Sequence, residues 1–172
     1  MGEREQKSQR AIAGFLAEDH RRLDVLLQTA AVDSGLMDES AYHQFRAGLL
    51  RHIGMEEKIL LPAVQRLRGG APFPAAAKLR LDHGAIAALL MPTPTAAIVA
   101  MIRDILSGHN VIEESPDGLY ETCDTLPVTE VEQLLAGLQS APEVKVMPYS
   151  DSPGVMNAVQ RAVERAGYQF KK

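Results

Sequence analysis

Residues 49–62 read LLRHIGMEEKILLP, a helical spacing of large apolar residues that sets His52 and Glu56 four apart on one face. In His-x-x-x-Glu the two side chains leave the helix about 6 Å apart along its axis, so an imidazole nitrogen and a carboxylate oxygen can reach one cavity. The same pair recurs as His109 and Glu113 in LSGHNVIEESP. Two further histidines, His20 in EDHRRLDVLL and His83 in LDHGAIAALL, stand alone among apolar residues.

A helix advances about 100° per residue, so positions i, i+4, i+7 and i+11 stay near one line. On that basis His20 aligns with Ile12, Leu16, Leu23 and Leu27, and the His52–Glu56 pair with Phe45, Leu49, Ala63 and Leu67. His83 joins Ala76, Leu79, Ala87 and Leu90, and the His109–Glu113 pair follows Ile98, Ile102 and Ile105. Only His43 falls on the far side of its helix. A single histidine on an apolar stripe is ordinarily a satisfied core residue. Such a stripe covers roughly a third of a helix, and four of the five histidines on it exceed chance.

Burying four imidazoles and two carboxylates without partners costs several kcal/mol per ion. A cation compensates most economically. Nitrogen and oxygen donors without thiolate suit iron, manganese or zinc. If both carboxylates bridge, each of two metals receives two imidazoles and two oxygens. A bridging hydroxide makes each five-coordinate with one position open. Two divalent ions against two carboxylates and a hydroxide leave one net positive charge, tolerable in a dry core.

The elements that must position these donors are four long helices. The first is expected from Ser8 to Ala31, ended by VDSG; the second from the caps Asp38 and Ser40 to Gly69-Gly70. Pro72 and Pro74 open the third, with Pro74 suited to its first turn, and MPTPT closes it near Met91. The fourth begins at Thr95 and passes Glu113, with Pro116 bending or restarting it. Short connections force neighbours antiparallel, so the expected fold is all-α, an up-down-up-down four-helix bundle over residues 8–140. Depth along the helices agrees for His20 with His52 and for Glu56 with His83. His83 and His109 disagree by more than a turn, which points to a misplaced boundary near Met91.

Further on, Thr129 and Glu132 read as a capping box before Val131, Leu134, Leu135 and Leu138. EVKVMPY alternates like a strand, and SDSPGVMNAVQRAVERAGYQF reads as a capped helix ended by Gly167. Residues 141–172 form a C-terminal extension to which the sequence assigns no role.

A net charge of −4 argues against nucleic-acid or polybasic membrane partners. The single cysteine, Cys123, excludes an intrachain disulfide and suits a reducing, cytoplasmic setting. The opening MGEREQKSQR has no apolar core and does not read as a signal peptide; Gln6 stands where a myristoylation motif wants Ser or Thr. No apolar run has the length of a membrane span.

The order of these pieces, EDHRRLDVLL, LLRHIGMEEKILLPAV, LDHGAIAALL and LSGHNVIEESP, resembles the hemerythrin-like, or HHE cation-binding, family over residues 10–125. The resemblance implies a non-haem di-iron centre (two Fe2+/Fe3+ ions with an oxo or hydroxo bridge) that meets oxygen, peroxide or nitric oxide. It maps the metal ligands onto His20, His52, Glu56, His83, His109 and Glu113. Two positions depart from the oxygen-carrying hemerythrins. Ala87 stands where they place a further histidine, and their spacing of the last carboxylate would select Glu114. Helix geometry prefers Glu113, unless a π-bulge near Gly108 or distortion from Pro116 reverses the order. Both departures speak against reversible oxygen carriage.

The expected function is therefore that of a di-iron protein sensing, scavenging or processing a small oxidant, with no protein partner indicated. Iron storage or delivery, or a structural metal bundle, is the alternative. A histidine phosphotransfer module would need an exposed histidine, and only His43 qualifies. Asp19, Asp82, Glu57 and Glu114 read as solvated surface charges, although Asp19 and Asp82 are also placed to accept from an imidazole N–H. Tyr120 and Cys123 fall on the His109 side if the fourth helix continues, with Cys123 as core packing.

Overall fold

A computed structural model of the protein describes residues 10–31 and 37–170. The chain is all-helical, with no strand among the described residues, as the apolar periodicity requires. In chain order the elements are α1 (Ala11–Ala30), α2 (Glu39–Met55), a π-helical turn (Glu56–Leu60), α3 (Leu61–Leu67), α4 (Ala76–Leu89), α5 (Ala96–Glu114), α6 (Leu119–Asp124), α7 (Val128–Gln139) and α8 (Pro153–Arg165). The sequence expects four long helices with two more after residue 128; the second long helix is interrupted by the π turn, and α6 is an additional short one. Ser8 and the VDSG stop lie outside the described residues.

Local chemistry explains most of the boundaries. Asp38 accepts the Ala41 N–H at 2.9 Å, and Thr95 accepts the Ile98 N–H at 3.2 Å, so both N-caps are as expected. The α1 start has no cap of its own; the Asp124 carboxylate of α6 accepts from Ile12 and Ala13 N–H at 2.9 and 3.0 Å instead. Gly69 and Gly70 take φ of +66° and +97° after α3, a conformation only glycine adopts freely. Helix α4 starts at Ala76, two residues beyond Pro74.

The α2 helix does not run straight through as an α-helix. At Glu56 it widens into the π turn, where the Leu61 N–H reaches back to the Glu56 carbonyl. Pro62 follows at once; it lacks an N–H, and in a regular α-helix its ring would strike the Lys58 carbonyl. The extra residue rotates the remainder of the helix. Leu60, Leu61, Ala63 and Val64 are buried, whereas Leu67, expected on the inner stripe, is 44 % exposed.

Two other expectations are corrected. Helix α7 begins at Val128 behind Pro127, so Thr129 lies inside its first turn and no capping box forms. Residues 143–149 do not form a strand, because among the described residues there is no strand to pair with them. They are tied down singly: Arg46 Nη2 donates to the Met147 carbonyl at 3.1 Å, and the Ser150 N–H donates to the Met91 carbonyl at 3.0 Å. Helix α8 is as read, with Ser152 accepting from the Val155 N–H and Gly167 at φ +93°.

Apolar side chains gather in two clusters. One holds Leu23, Leu27, Phe45, Leu49, Ile86 and Ile102, together with Val159 and Val163 of α8. The other holds Ile12, Leu16, Met55, Leu60, Leu79 and Tyr120. On each of α1, α2, α4 and α5 the histidine falls between the positions that feed the two clusters. The polar layer is thus sealed above and below by hydrocarbon. No helix among the described residues is long and apolar enough to cross a membrane.

A candidate dinuclear metal centre

Four histidines meet between α1, α2, α4 and α5, and each uses its two ring nitrogens differently. Every Nδ1 points outward to a carboxylate on the adjacent helix. His52 Nδ1 donates to Asp19 at 2.8 Å, and His83 Nδ1 to Glu57 at 2.7 Å. His109 Nδ1 donates to Asp82 at 3.4 Å, and His20 Nδ1 to Glu114 at 2.5 Å. The contacts close a ring: α1 holds the histidine of α2, the π turn that of α4, α4 that of α5, and α5 that of α1. Each accepting carboxylate is the sequence neighbour of an inward-facing residue. These four are therefore not free surface charges; Asp82 is fully buried, and Asp19 is 10 % exposed at its side chain. An outward Nδ1–H bond fixes the tautomer and turns the Nε2 lone pair inward.

The inward atoms form two groups: His20, His52, Glu56 and Glu113, and Glu56, His83, His109 and Glu113, each with its donor atoms within 4.8 Å of one another. Both contain both glutamates. His52 Nε2 lies 3.1 Å from Glu56 Oε1, and His20 Nε2 3.5 Å from Glu113 Oε2. On the other side His83 Nε2 lies 3.1 Å from Glu56 Oε2, His109 Nε2 3.0 Å from Glu113 Oε1, and the two Nε2 atoms 3.1 Å from each other. Around an ion with donors at ~2.1 Å, neighbouring donors of a six-coordinate shell stand ~3.0 Å apart and opposite ones ~4.2 Å. The spacing matches. Glu56 Oε2 and Glu113 Oε1 are buried without a hydrogen-bond partner, close to histidine nitrogens but out of hydrogen-bonding alignment. Orphaned buried carboxylate oxygens are costly, and a cation shared by them removes the cost. The residues fit two metal ions.

Electrostatics of the chain alone point the same way. Burial and the nearby His52 lower His20 to about 4, so this ring is neutral. Burial also opposes charge on His52, but Glu56 and Asp19 outweigh it and raise the ring to about 10. Burial is likewise overcome at His109, where Asp82 and Glu113 raise it to about 10, and at His83, which Glu56 raises. Burial and the charge of Glu56 push Glu113 up to about 7; burial resists ionisation of Glu56 too, yet His52 holds it well below the usual carboxylate range. Protons hold the centre together in the chain alone, and a metal ion binds by displacing them.

Glu113 joins the inner groups while Glu114 serves His20, because α5 is regular up to Glu114 with no π-bulge near Gly108. His83 and His109 meet despite their unequal distances from the α4–α5 link. Their offset is about 10 Å of helix rise, and residues 90–95 run in non-helical conformation, long enough to absorb it. His43 is exposed, away from the groups. Cys123 is packing, its thiol pushed by burial up to about 12. A cavity of about 260 Å³ reaches His20, with Leu23, Leu27, Leu49 and Leu106 in its wall beside Asp24, Arg103, Ser107 and Asn110.

Tyr120 carries a role that stripe reasoning understated. Helix α5 stops at Glu114, and the chain turns so tightly before restarting as α6 that a Cβ on Gly118 would stand 2.5 Å from the Glu113 carbonyl oxygen. That turn delivers the Tyr120 hydroxyl into the first group, where it donates to Glu56 Oε1 at 2.5 Å. The available signal was the pairing of Pro116 with Gly118 just after the last ligand motif.

The ring makes a quantitative expectation. Asp82→Asn keeps the size of the acceptor but weakens its hold on His109, and metal affinity should fall about 10–100-fold, measured by competition with a chelator. An unchanged affinity would show that the outer carboxylate is not orienting the ring. No protein-family model matches the chain, and comparison with curated proteins and with solved structures finds no match.

Proposed function

We propose that the protein is a non-haem di-iron protein of hemerythrin-like type that senses, scavenges or processes a small oxidant such as oxygen, peroxide or nitric oxide. In this reading α1, α2, α4 and α5 are its up-down-up-down four-helix bundle. The observation that carries the proposal is the pair of four-donor groups sharing Glu56 and Glu113, all six residues at most 7 % exposed. The donor set contains no thiolate, which favours iron, manganese or zinc over softer metals.

The chain's own part is positional. The outer carboxylates hold the four imidazoles with their lone pairs inward, and the two apolar clusters keep bulk water from the centre. Iron held there by His20, His52, Glu56, His83, His109 and Glu113 would supply one-electron redox chemistry. The burial of all six residues admits only small molecules.

Ala87 favours consumption of the oxidant over reversible carriage, since a methyl group stands one turn past His83 where a further imidazole would close the shell. Reduced, iron-loaded protein exposed to oxygen should become diferric and stay so when purged with argon, followed by its optical spectrum. Full return to the diferrous state over repeated cycles would overturn this. Iron storage or a structural zinc site is the second reading, favoured if the loaded centre is optically silent or exchanges iron without reacting with oxidant.

A further inference from the structure

The histidines and glutamates do not account for Tyr120. Its hydroxyl oxygen lies 3.0 Å from His20 Nε2, 3.1 Å from His52 Nε2, 3.1 Å from Glu113 Oε2 and 2.5 Å from Glu56 Oε1. A phenol oxygen donates one hydrogen bond and accepts at most two, so hydrogen bonding alone does not account for an oxygen placed against all four donor atoms of one group. A point near 3 Å from each of four donors is the position of a fifth donor cis to all of them in a shell of ~2.1 Å radius. The ring is fully buried, and Gly118 lets the chain turn closely enough to bring it there. Among the described residues no other tyrosine bonds to any atom of the two groups; the Tyr42 hydroxyl is buried without a partner, and the Tyr168 hydroxyl accepts from Lys78.

We propose that Tyr120 is the fifth ligand of the first metal position, the one built by His20, His52, Glu56 and Glu113, and that it binds ferric iron through its phenolate oxygen. The assignment rests on the di-iron reading above. On binding, the phenol O–H bond breaks and an O–Fe bond forms; the proton leaves to solvent, and iron keeps its oxidation state. The two ions then differ. The second group has four donors, no tyrosine and Ala87 beyond His83, so the exchangeable position falls on the second ion.

The test uses the full chain loaded with ferrous iron and oxidised in air, with iron counted by metal analysis. A ferric phenolate absorbs in the visible by charge transfer, and resonance Raman excitation into that band enhances the tyrosine ring modes. The expected result is two irons per chain, a visible band whose Raman modes shift when the protein carries ring-deuterated tyrosine, and loss of that band in Tyr120→Phe with both irons retained. Should Tyr120→Phe misfold, the isotope shift in the unaltered chain still decides whether a tyrosine binds. Two irons without the band, or a band that survives Tyr120→Phe, overturns the Tyr120 assignment and leaves the di-iron reading standing. Failure to bind iron overturns both.

Discussion

Glu56→Gln should strip the protein of both metal ions, whereas His20→Ala should strip it of one. The asymmetry follows from the shared carboxylates. Glu56 offers Oε1 to the His20–His52 side and Oε2 to the His83–His109 side, so one substitution damages both shells. His20 belongs to the first group alone. The glutamine variant should also lose stability without metal, because buried His52 keeps Asp19 but loses the charge of Glu56. Metal analysis per chain after gel filtration, with thermal unfolding of the stripped protein, reads both effects. One tightly held ion that is indifferent to His20→Ala would rule out two metals.

Metal should invert the dependence of stability on pH. In the stripped chain His52 and His109 are raised from 6.5 to about 10, so their contribution is complete below pH 6.5 and is lost as pH rises toward 10. Glu113, raised from 4.5 to about 7, adds a loss as pH rises between those values, which His20, lowered from 6.5 to about 4, opposes. Glu56, Asp19 and Asp82 are lowered, so what they contribute is present above the ordinary carboxylate range and disappears on acidification. The stripped protein should therefore be most stable in mildly acidic solution and weaken steadily toward pH 10. With metal bound the imidazoles must be unprotonated, and stability should instead fall as pH drops through the histidine range. Melting temperatures of stripped and loaded protein between pH 5 and 10 check this. Parallel curves would mean that the metal does not displace the protons assigned here.

What the sequence determined by itself is the inner layer. Helical period alone places His20, His52, Glu56, His83, His109 and Glu113 on inward stripes, since a side chain's direction on a helix depends only on residue count. The same arithmetic ranks Glu113 above Glu114, and the regular α5 keeps that order. Caps at Asp38, Thr95 and Ser152 and the glycines after α3 and α8 are local chemistry, equally legible.

Tertiary structure decided what lies between helices. Asp19, Glu57, Asp82 and Glu114 look like surface charges when each helix is considered alone, because neighbours in sequence diverge by about 100°. Once a second helix packs alongside, that direction is where the next helix presents its histidine Nδ1. The π turn at Glu56 likewise belongs to the packed state: Pro62 makes it locally favourable, but its effect is to turn Leu67 out and Leu60 in. Tyr120 is the furthest from sequence reasoning. Its place depends on the tight turn at Ser115–Gly118, and a turn breaks the period from which a helical face is read.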